Sequence, residues 1–354
     1  MGCDTLFKNK KIIFLTILAV SLLFLTACGN NGEDIPQAED NVFLMDTLVQ
    51  MRAHGENAEV AVEESMERIR EIENLMSKTI ETSDIYKLNN NPETEIEIDE
   101  ESKKVLEKAL EYAELTAGDF DPTIGALVEL WGIGTENAAV PEESEIKKAL
   151  ANTGYEHLRL YDNSAELTKA GVKIDLGGIA KGYAAEEVKK VVQEYEIEHA
   201  FVNLGGNVLV IGNKVDGSPW KIGIQDPREG RGNVMAIVDA VDKTIVTSGN
   251  YERYFKEDGK LYHHIIDPKT GYPAENNLLS ATIISNNSFD ADALSTAVYV
   301  MGLEKGMEFI ENMENVDVMF ITNELDVYLS SGLKEIVEIN DSDFKVIEGE
   351  NFAF

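Results

Sequence analysis

Hydrophobic positions recur along this chain at two spacings, and the spacing changes about halfway. From residue 57 to 76, Val62, Met66, Ile69, Ile72 and Met76 fall at steps of three and four. Asn57 is placed to cap the start, and the pattern predicts an amphipathic helix. A second helix is expected over 101–116, with Val105, Leu106, Ala109, Leu110 and Ala113 on one face and Gly118 as its stop. Shorter helical stretches follow at 144–151 and 181–195. Short strand-like runs lie at 157–161, 166–168 and 172–175, and β-branched content predicts strands at 200–203, 208–211, 220–225, 234–238 and 244–247, with Ile265, Ile266 and 281–284 adding more and 316–321 and 327–329 closing the pattern. Two late helices, 290–301 and 304–313, meet at Gly302. Strands bunch together instead of alternating with helices, which favours an α+β fold over a doubly wound sheet. No internal repeat or low-complexity tract occurs, and no linker separates the helical first third from the strand-rich remainder.

The first residues follow neither spacing. Lys8, Lys10 and Lys11 precede an uncharged apolar run over 12–26, which is short for a membrane span of about 20 residues. A basic head, a short apolar centre and small residues at its end read as an export signal, with an uncleaved anchor helix as the alternative. Leu25-Thr26-Ala27-Cys28 resembles the lipobox of bacterial lipoproteins. That resemblance implies a signal peptide over 1–27, cleavage before Cys28, lipid on its sulfur (palmitate among the acyl groups) and a place on the extracytoplasmic face of the cell membrane. Each buried methylene of such an anchor contributes about 0.8 kcal/mol. Residues 28–40 are then the lipidated cysteine and a polar tether, and 41–340 the folded domain.

Composition narrows the functions open to such a chain. Its 354 residues carry 31 Lys+Arg against 65 Asp+Glu, a formal charge of −34. Loss of residues 1–27 removes three lysines and one aspartate and takes the charge to −36. Such a surface repels phosphate backbones, so nucleic acid is excluded as a partner. A hydrophobic content of 44% excludes a disordered acidic chain. Two cysteines, Cys3 and Cys28, give no disulfide framework, and five histidines leave little scope for a histidine-rich zinc site.

Several segments hold more Gly, Asp and small polar residues than packing requires. Asp119-Phe120-Asp121 lies just before a helix. In Asp175-Leu176-Gly177-Gly178-Ile179-Ala180-Lys181, an aspartate ends an apolar run, two glycines permit close backbone approach, and a lysine opens a helix. This is either an anion site or an ordinary strand–turn–helix. Asp292 and Thr296 are one turn apart on one helical face; they are either oxygen donors for a hard cation such as Mg²⁺ or polar surface, with Asp290 capping the helix. His263 and His264 precede an Asp-Pro turn and read as a general base or as structural histidines. Asn203 to Asn207 is an anion nest or a hairpin turn, and Trp131 with Gly132 and Gly134 reads as packing.

Order makes these segments specific. FDPTIGALVELWGIG, DLGGIAKGYAAE, NLGGNV, WKIGIQDP, TSGNYERYF, HHIIDPKTGYP and DADALSTAVYVMG follow one another in a single sequence. The series resembles the ApbE family of FAD:protein FMN transferases over roughly residues 43–329. The resemblance implies an ApbE-like (T-fold-like) α+β fold of mixed sheets with packed helices. It also implies Mg²⁺-dependent (or Mn²⁺-dependent) cleavage of FAD, transfer of FMN to a threonine hydroxyl of a target flavoprotein subunit in an electron-transfer complex, and release of AMP. By the same resemblance, Gly178 through its carbonyl, Asp292 and Thr296 hold the metal. Met45, Thr79, Asp119, Phe120, Asp121, Asp175, Lys181 and Ile266 contact FAD, and His264 is the base for the incoming threonine. Two readings stay open beside it: an FAD pyrophosphatase with water as acceptor, and a solute-binding lipoprotein built of two αβ lobes.

Overall fold

The computed structural model describes residues 35–229 and 232–347. The expected export signal and Cys28 lie outside the described residues. Nine strands make the main sheet: β1 (Gln37–Leu44), β2 (Thr47–His54), β3 (His199–Leu204), β4 (Asn207–Ile211), β5 (Thr244–Gly249), β6 (Leu278–Ser285), β7 (Val316–Thr322), β8 (Asp326–Leu329) and β9 (Lys345–Val346). They stand side by side in chain order. Each neighbour is antiparallel except β9, which lies parallel to β8.

Helices enter this meander at two places. Between β2 and β3 come α1 (Ala58–Met76), α2 (Asp84–Asn90), α3 (Glu100–Leu115), α4 (Gly125–Trp131), α5 (Glu143–Leu150) and α6 (Ala180–Glu194). Between β6 and β7 come α7 (Ser288–Met301) and α8 (Leu303–Glu311). Because side chains alternate along a strand, each central strand feeds two cores. Val246, Ile283 and Phe320 face the helices, where they join Ile69, Ile72, Val188 and Leu294. Their neighbours Ile245, Ile284 and Met319 face a three-stranded sheet of Trp220–Gln225, Val234–Ala240 and Val337–Ile339. A third cluster joins Leu127 and Trp131 of α4 with Ile146 of α5, against Phe255 and Tyr262 of a hairpin, Tyr254–Glu257 and Lys260–His263.

The α+β expectation therefore holds, with helices layered on one face of a sheet. The described residues from Pro36 onward form one compact unit and not two αβ lobes. Several local expectations differ. The β1–β2 hairpin begins at Gln37, inside the stretch expected as tether, and turns at Met45 and Asp46, both at positive φ as a two-residue turn requires. Helices α2 and α4, seven residues each, are too short to show a period. The run 172–175 is no strand: Asn89 of α2 donates to Ile174 O (2.9 Å) and accepts from Ile174 N (2.6 Å), taking the place of a strand partner. A single isolated bridge, Ile124 to Lys173, and a bond from Asp175 N to the Pro122 carbonyl (2.8 Å) tie it to the segment before α4. Helix α7 starts at Ser288 and not at Asp290, because Asn287 is the residue whose side chain accepts from Asp290 N (3.2 Å). Trp131 is packing, fully buried with Nε1 donating to Gly271 O (2.8 Å), and Asn203 to Asn207 is the β3–β4 turn.

Helices α6 and α7 meet at a glycine. A Cβ on Gly182 would collide with the Ser288 carbonyl and lie 2.7 Å from Asp292 Cβ. Next to it, the Tyr183 and Phe289 rings lie 5.1 Å apart. Gly182→Ala is therefore expected to force these helices apart and cost about 1–3 kcal/mol of stability. Urea unfolding measures this, and a midpoint equal to wild type would show that the contact tolerates a methyl group.

Candidate active site

The glycine contact builds the centre of the site. With no side chain at 182, α7 approaches the first turn of α6, and the Gly182 amide donates to Asp292 Oδ2 (2.9 Å). That amide is one of the first-turn N–H groups that a helix leaves without an internal partner, since the first bond of α6 runs from Tyr183 N to the Ile179 carbonyl. The Gly178 carbonyl lies just ahead of the helix cap, Ile179, and accepts no hydrogen bond among the described residues. Thr296 lies one turn beyond Asp292, and its Oγ1 is 3.1 Å from where a Cβ on Gly178 would stand. Its hydroxyl makes no side-chain hydrogen bond among the described residues. A buried carboxylate (3% exposed), an unpartnered carbonyl and an unpartnered hydroxyl thus converge, all of them hard oxygen donors. Ser295 faces away, its Oγ held by Asp292 O (2.9 Å) and Ser248 Oγ (2.9 Å). Lys181 supplies the local countercharge, with Nζ 3.4 Å from Asp292 Oδ1 and 2.7 Å from the Gly177 carbonyl.

Other expected residues gather round this centre. The Phe120 ring lies against Gly178, 3.2 Å from the same Cβ position. Asp175 Oδ1 accepts from Gly177 N (2.8 Å), and Oδ2 accepts from Lys78 Nζ (2.5 Å). Burial works to raise the Asp175 pKa, but the charges of Lys78 and Lys181 and those hydrogen bonds outweigh it and hold the carboxylate below its ordinary value. Asp119 pairs with Lys269 (2.7 Å). Met45 is tied to α1 by its amide, which donates to Glu73 Oε1 (2.8 Å), and the adjacent Asp46 carbonyl accepts from Arg253 Nη2 (3.1 Å).

Three expected residues direct their side chains elsewhere. The Asp121 carboxylate accepts from Thr123 N (2.8 Å), Thr123 Oγ1 (2.6 Å) and Tyr155 N (3.0 Å), so it closes its own loop, and burial raises its pKa. Ile266 buries its side chain in the third core cluster and leaves only its backbone for a ligand. Thr79 is exposed, with its hydroxyl on Ser77 Oγ (3.0 Å). Lys78, Arg253 and Lys269 were not expected. A lone lysine after a helix carries no pattern; only the folded chain places it.

The two adjacent histidines divide their roles. The buried His263 donates from Nε2 to the Ala274 carbonyl (3.1 Å), while its Nδ1 accepts from Ile265 N (3.3 Å), so both nitrogens are committed. In half-buried His264, Nδ1 faces the Arg253 carbonyl (3.3 Å). A carbonyl only accepts, so Nδ1 carries the proton and Nε2 keeps its lone pair. Burial first, then the charges of Arg253 and His263, pull the His264 pKa down to about 3.

A family model described as the ApbE family matches residues 45–320. The chain belongs to the ApbE family. It is 34% identical to a FAD:protein FMN transferase of Treponema pallidum over 351 residues, 93% of this chain and 96% of the relative. It is 31% identical to one of Vibrio cholerae over 325 residues, 90% and 97% of the two chains. Among solved structures, the ApbE protein of Thermotoga maritima superposes with a TM-score of 0.80 at 38% identity, covering 85% of this chain and 99% of that one. The flavin transferase ApbE from Vibrio cholerae gives 0.77 at 29% identity, with the same coverage. The ApbE-like α+β fold expected from the motifs is the fold found.

The low pKa of His264 has a measurable consequence. Between about pH 3 and the ordinary histidine value near 6.5, the unfolded chain binds a proton here that the folded protein does not, so acid in that window lowers stability through this residue. In an NMR titration of the ligand-free protein, the His264 C2–H signal is expected to keep its neutral-ring position from pH 8 to pH 5. A midpoint near 6.5 would show a solvated ring.

Proposed function

We infer that this ApbE-family chain is an FAD:protein FMN transferase: it cleaves FAD and transfers FMN to a threonine hydroxyl of a target flavoprotein subunit of an electron-transfer complex, releasing AMP. The observation that carries the reading is the convergence of Gly178, Asp292 and Thr296 beside Lys181 and His264, on a chain related over most of its length to proteins so named. The donor set suits Mg²⁺ or Mn²⁺: one carboxylate and two neutral oxygens leave the ion charge to spare for phosphate. Asp292, Thr296 and the Gly178 carbonyl would hold it, and when bound it supplies positive charge to the diphosphate oxygens as the bridging bond breaks.

The chain's own groups do the rest. His264 Nε2 takes the proton from the threonine hydroxyl as its oxygen bonds to the FMN phosphorus, and the phosphorus–oxygen bond to AMP breaks. The Nδ1–H of His264, set against the Arg253 carbonyl, fixes which nitrogen receives that proton. Lys181 adds positive charge to a site that the chain's net −34 would otherwise make hostile to a diphosphate. Lipid on Cys28 would anchor the enzyme on the extracytoplasmic face of the membrane, where it meets acceptors exported with it.

Incubation with FAD, Mg²⁺ and a threonine-bearing acceptor, read by mass spectrometry, is expected to show covalent gain of FMN and release of AMP. Free FMN alone would mean that water is the acceptor, and no AMP at all would mean a binding protein. Asp292→Ala is expected to abolish transfer. His264→Ala should slow transfer by about 10²–10⁴-fold, the usual worth of a general base, with FAD affinity little changed. Transfer by Asp292→Ala at the wild-type rate with EDTA present would remove the metal assignment. Cys28→Ser is expected to move the protein from the membrane fraction to the soluble fraction, and unchanged membrane association would indicate an uncleaved anchor.

A further inference from the structure

The charges around the site run against those of the whole chain. Acidic residues outnumber basic ones 65 to 31, yet here four cations, Lys78, Lys181, Lys269 and Arg253, gather with Asp119, Asp175 and Asp292. Three of these cations have evident duties. Lys181 compensates Asp292 and caps the Gly177 carbonyl, Lys269 holds Asp119, and Arg253 holds the β1–β2 turn.

Lys78 likewise counters Asp175, and it keeps donors to spare. It follows α1 directly, its side chain is one-third exposed, and its ammonium makes one bond among the described residues, to Asp175 Oδ2 at 2.5 Å. Asp175 is itself only 14% exposed and has its other oxygen on Gly177 N, so it is fixed and in turn fixes Lys78. An ammonium has three N–H donors, and two remain on Lys78. Asp175 also accepts from Gly177 N, and the Gly177 carbonyl accepts from Lys181 Nζ, so Lys78 sits beside the Gly177-Gly178 turn that carries one of the oxygen donors.

We propose that Lys78 is a substrate-binding residue, aimed by Asp175, whose two free N–H groups grip the phosphate oxygens of the dinucleotide. Its charge keeps the buried Asp175 carboxylate ionised, and that pairing spends only one of its three N–H groups. A neutral donor would satisfy Asp175 Oδ2 equally well in hydrogen-bond count, whereas an ammonium also draws in an anion. Asp175 thereby acts through Lys78 as a positioning residue as well as a lining group. The proposal rests on the transferase reading, since it takes FAD as the anion.

The test is equilibrium binding of FAD, followed by quenching of its fluorescence, with EDTA present and again with Mg²⁺. Wild type is compared with Lys78→Arg, Lys78→Gln and Lys78→Met over a range of salt, each variant checked for folding by near-ultraviolet circular dichroism. Lys78→Arg keeps the charge, and Lys78→Gln keeps an N–H donor for Asp175 without it. Arg is expected to bind FAD close to wild type. Gln is expected to lose about tenfold or more in affinity, the worth of a hydrogen bond to a charged group, and to show a shallower dependence on salt. Met serves as the larger perturbation, and if it does not fold the Arg–Gln pair still decides. Wild-type affinity in Lys78→Gln would make Lys78 a structural partner of Asp175 only and would overturn the proposal. A wild-type protein that binds no FAD would instead bring down the transferase reading beneath it.

Discussion

One hydrogen bond organises this site: the Gly182 amide donating to the buried carboxylate of Asp292. It exists because Gly182 has no side chain and α7 can lie against the first turn of α6. It compensates a carboxylate that would be costly to bury alone. It also uses a first-turn amide that the helix itself leaves unpaired, and it holds α7 where Thr296 stands next to Gly178, whose carbonyl, just ahead of the helix, has no donor among the described residues. A helix-packing contact and an oxygen-lined pocket are therefore one feature, and a change that separates the helices would lose both together.

The fold supplies what this contact needs. The nine-stranded meander gives α6 and α7 a common floor, because both helices pack on the same sheet face. Helix α7 leaves from β6 and α6 returns into β3, so strands on two sides of the sheet centre fix the two helices. The other wall is less regular. It comprises the segment 172–175, gripped by Asn89 in place of a strand, and the Tyr254–His263 hairpin, backed by Trp131. Side-chain hydrogen bonds and a small satellite core thus do in this wall what sheet pairing does elsewhere. It is also the wall that presents Asp175 and His264.

Much of this was legible in the chain. Long amphipathic periods located α1 and α3, which bury one face in a large core, and β-branched runs located β3 to β8, whose central strands feed a core on each face. Seven-residue helices and a strand-like run held by an asparagine carry no such period, and they were missed or misread. Asp292 and Thr296 could be paired from their spacing, since a helix turn puts them on one face. Gly178 and the FAD contacts came only from resemblance, because their proximity is tertiary. Lys78, 97 residues from Asp175 in sequence, had no signal at all.

The assignment of the base turns on which of two neighbouring histidines keeps a lone pair. In His263 both nitrogens are spent on backbone groups of its own loop, so removing its proton or adding one would break the fold locally. In His264 only Nδ1 is engaged, and the ring lies within reach of the charges of Lys181 and Arg253. Those charges, with burial, make it a weak base in the free protein. On the transferase reading the weakness is temporary. FAD brings a negatively charged diphosphate among the same cations, which offsets the charges that depress the imidazole and raises its basicity while the nucleotide is bound. A base that strengthens only in the presence of substrate is neutral, and therefore ready, before the threonine arrives.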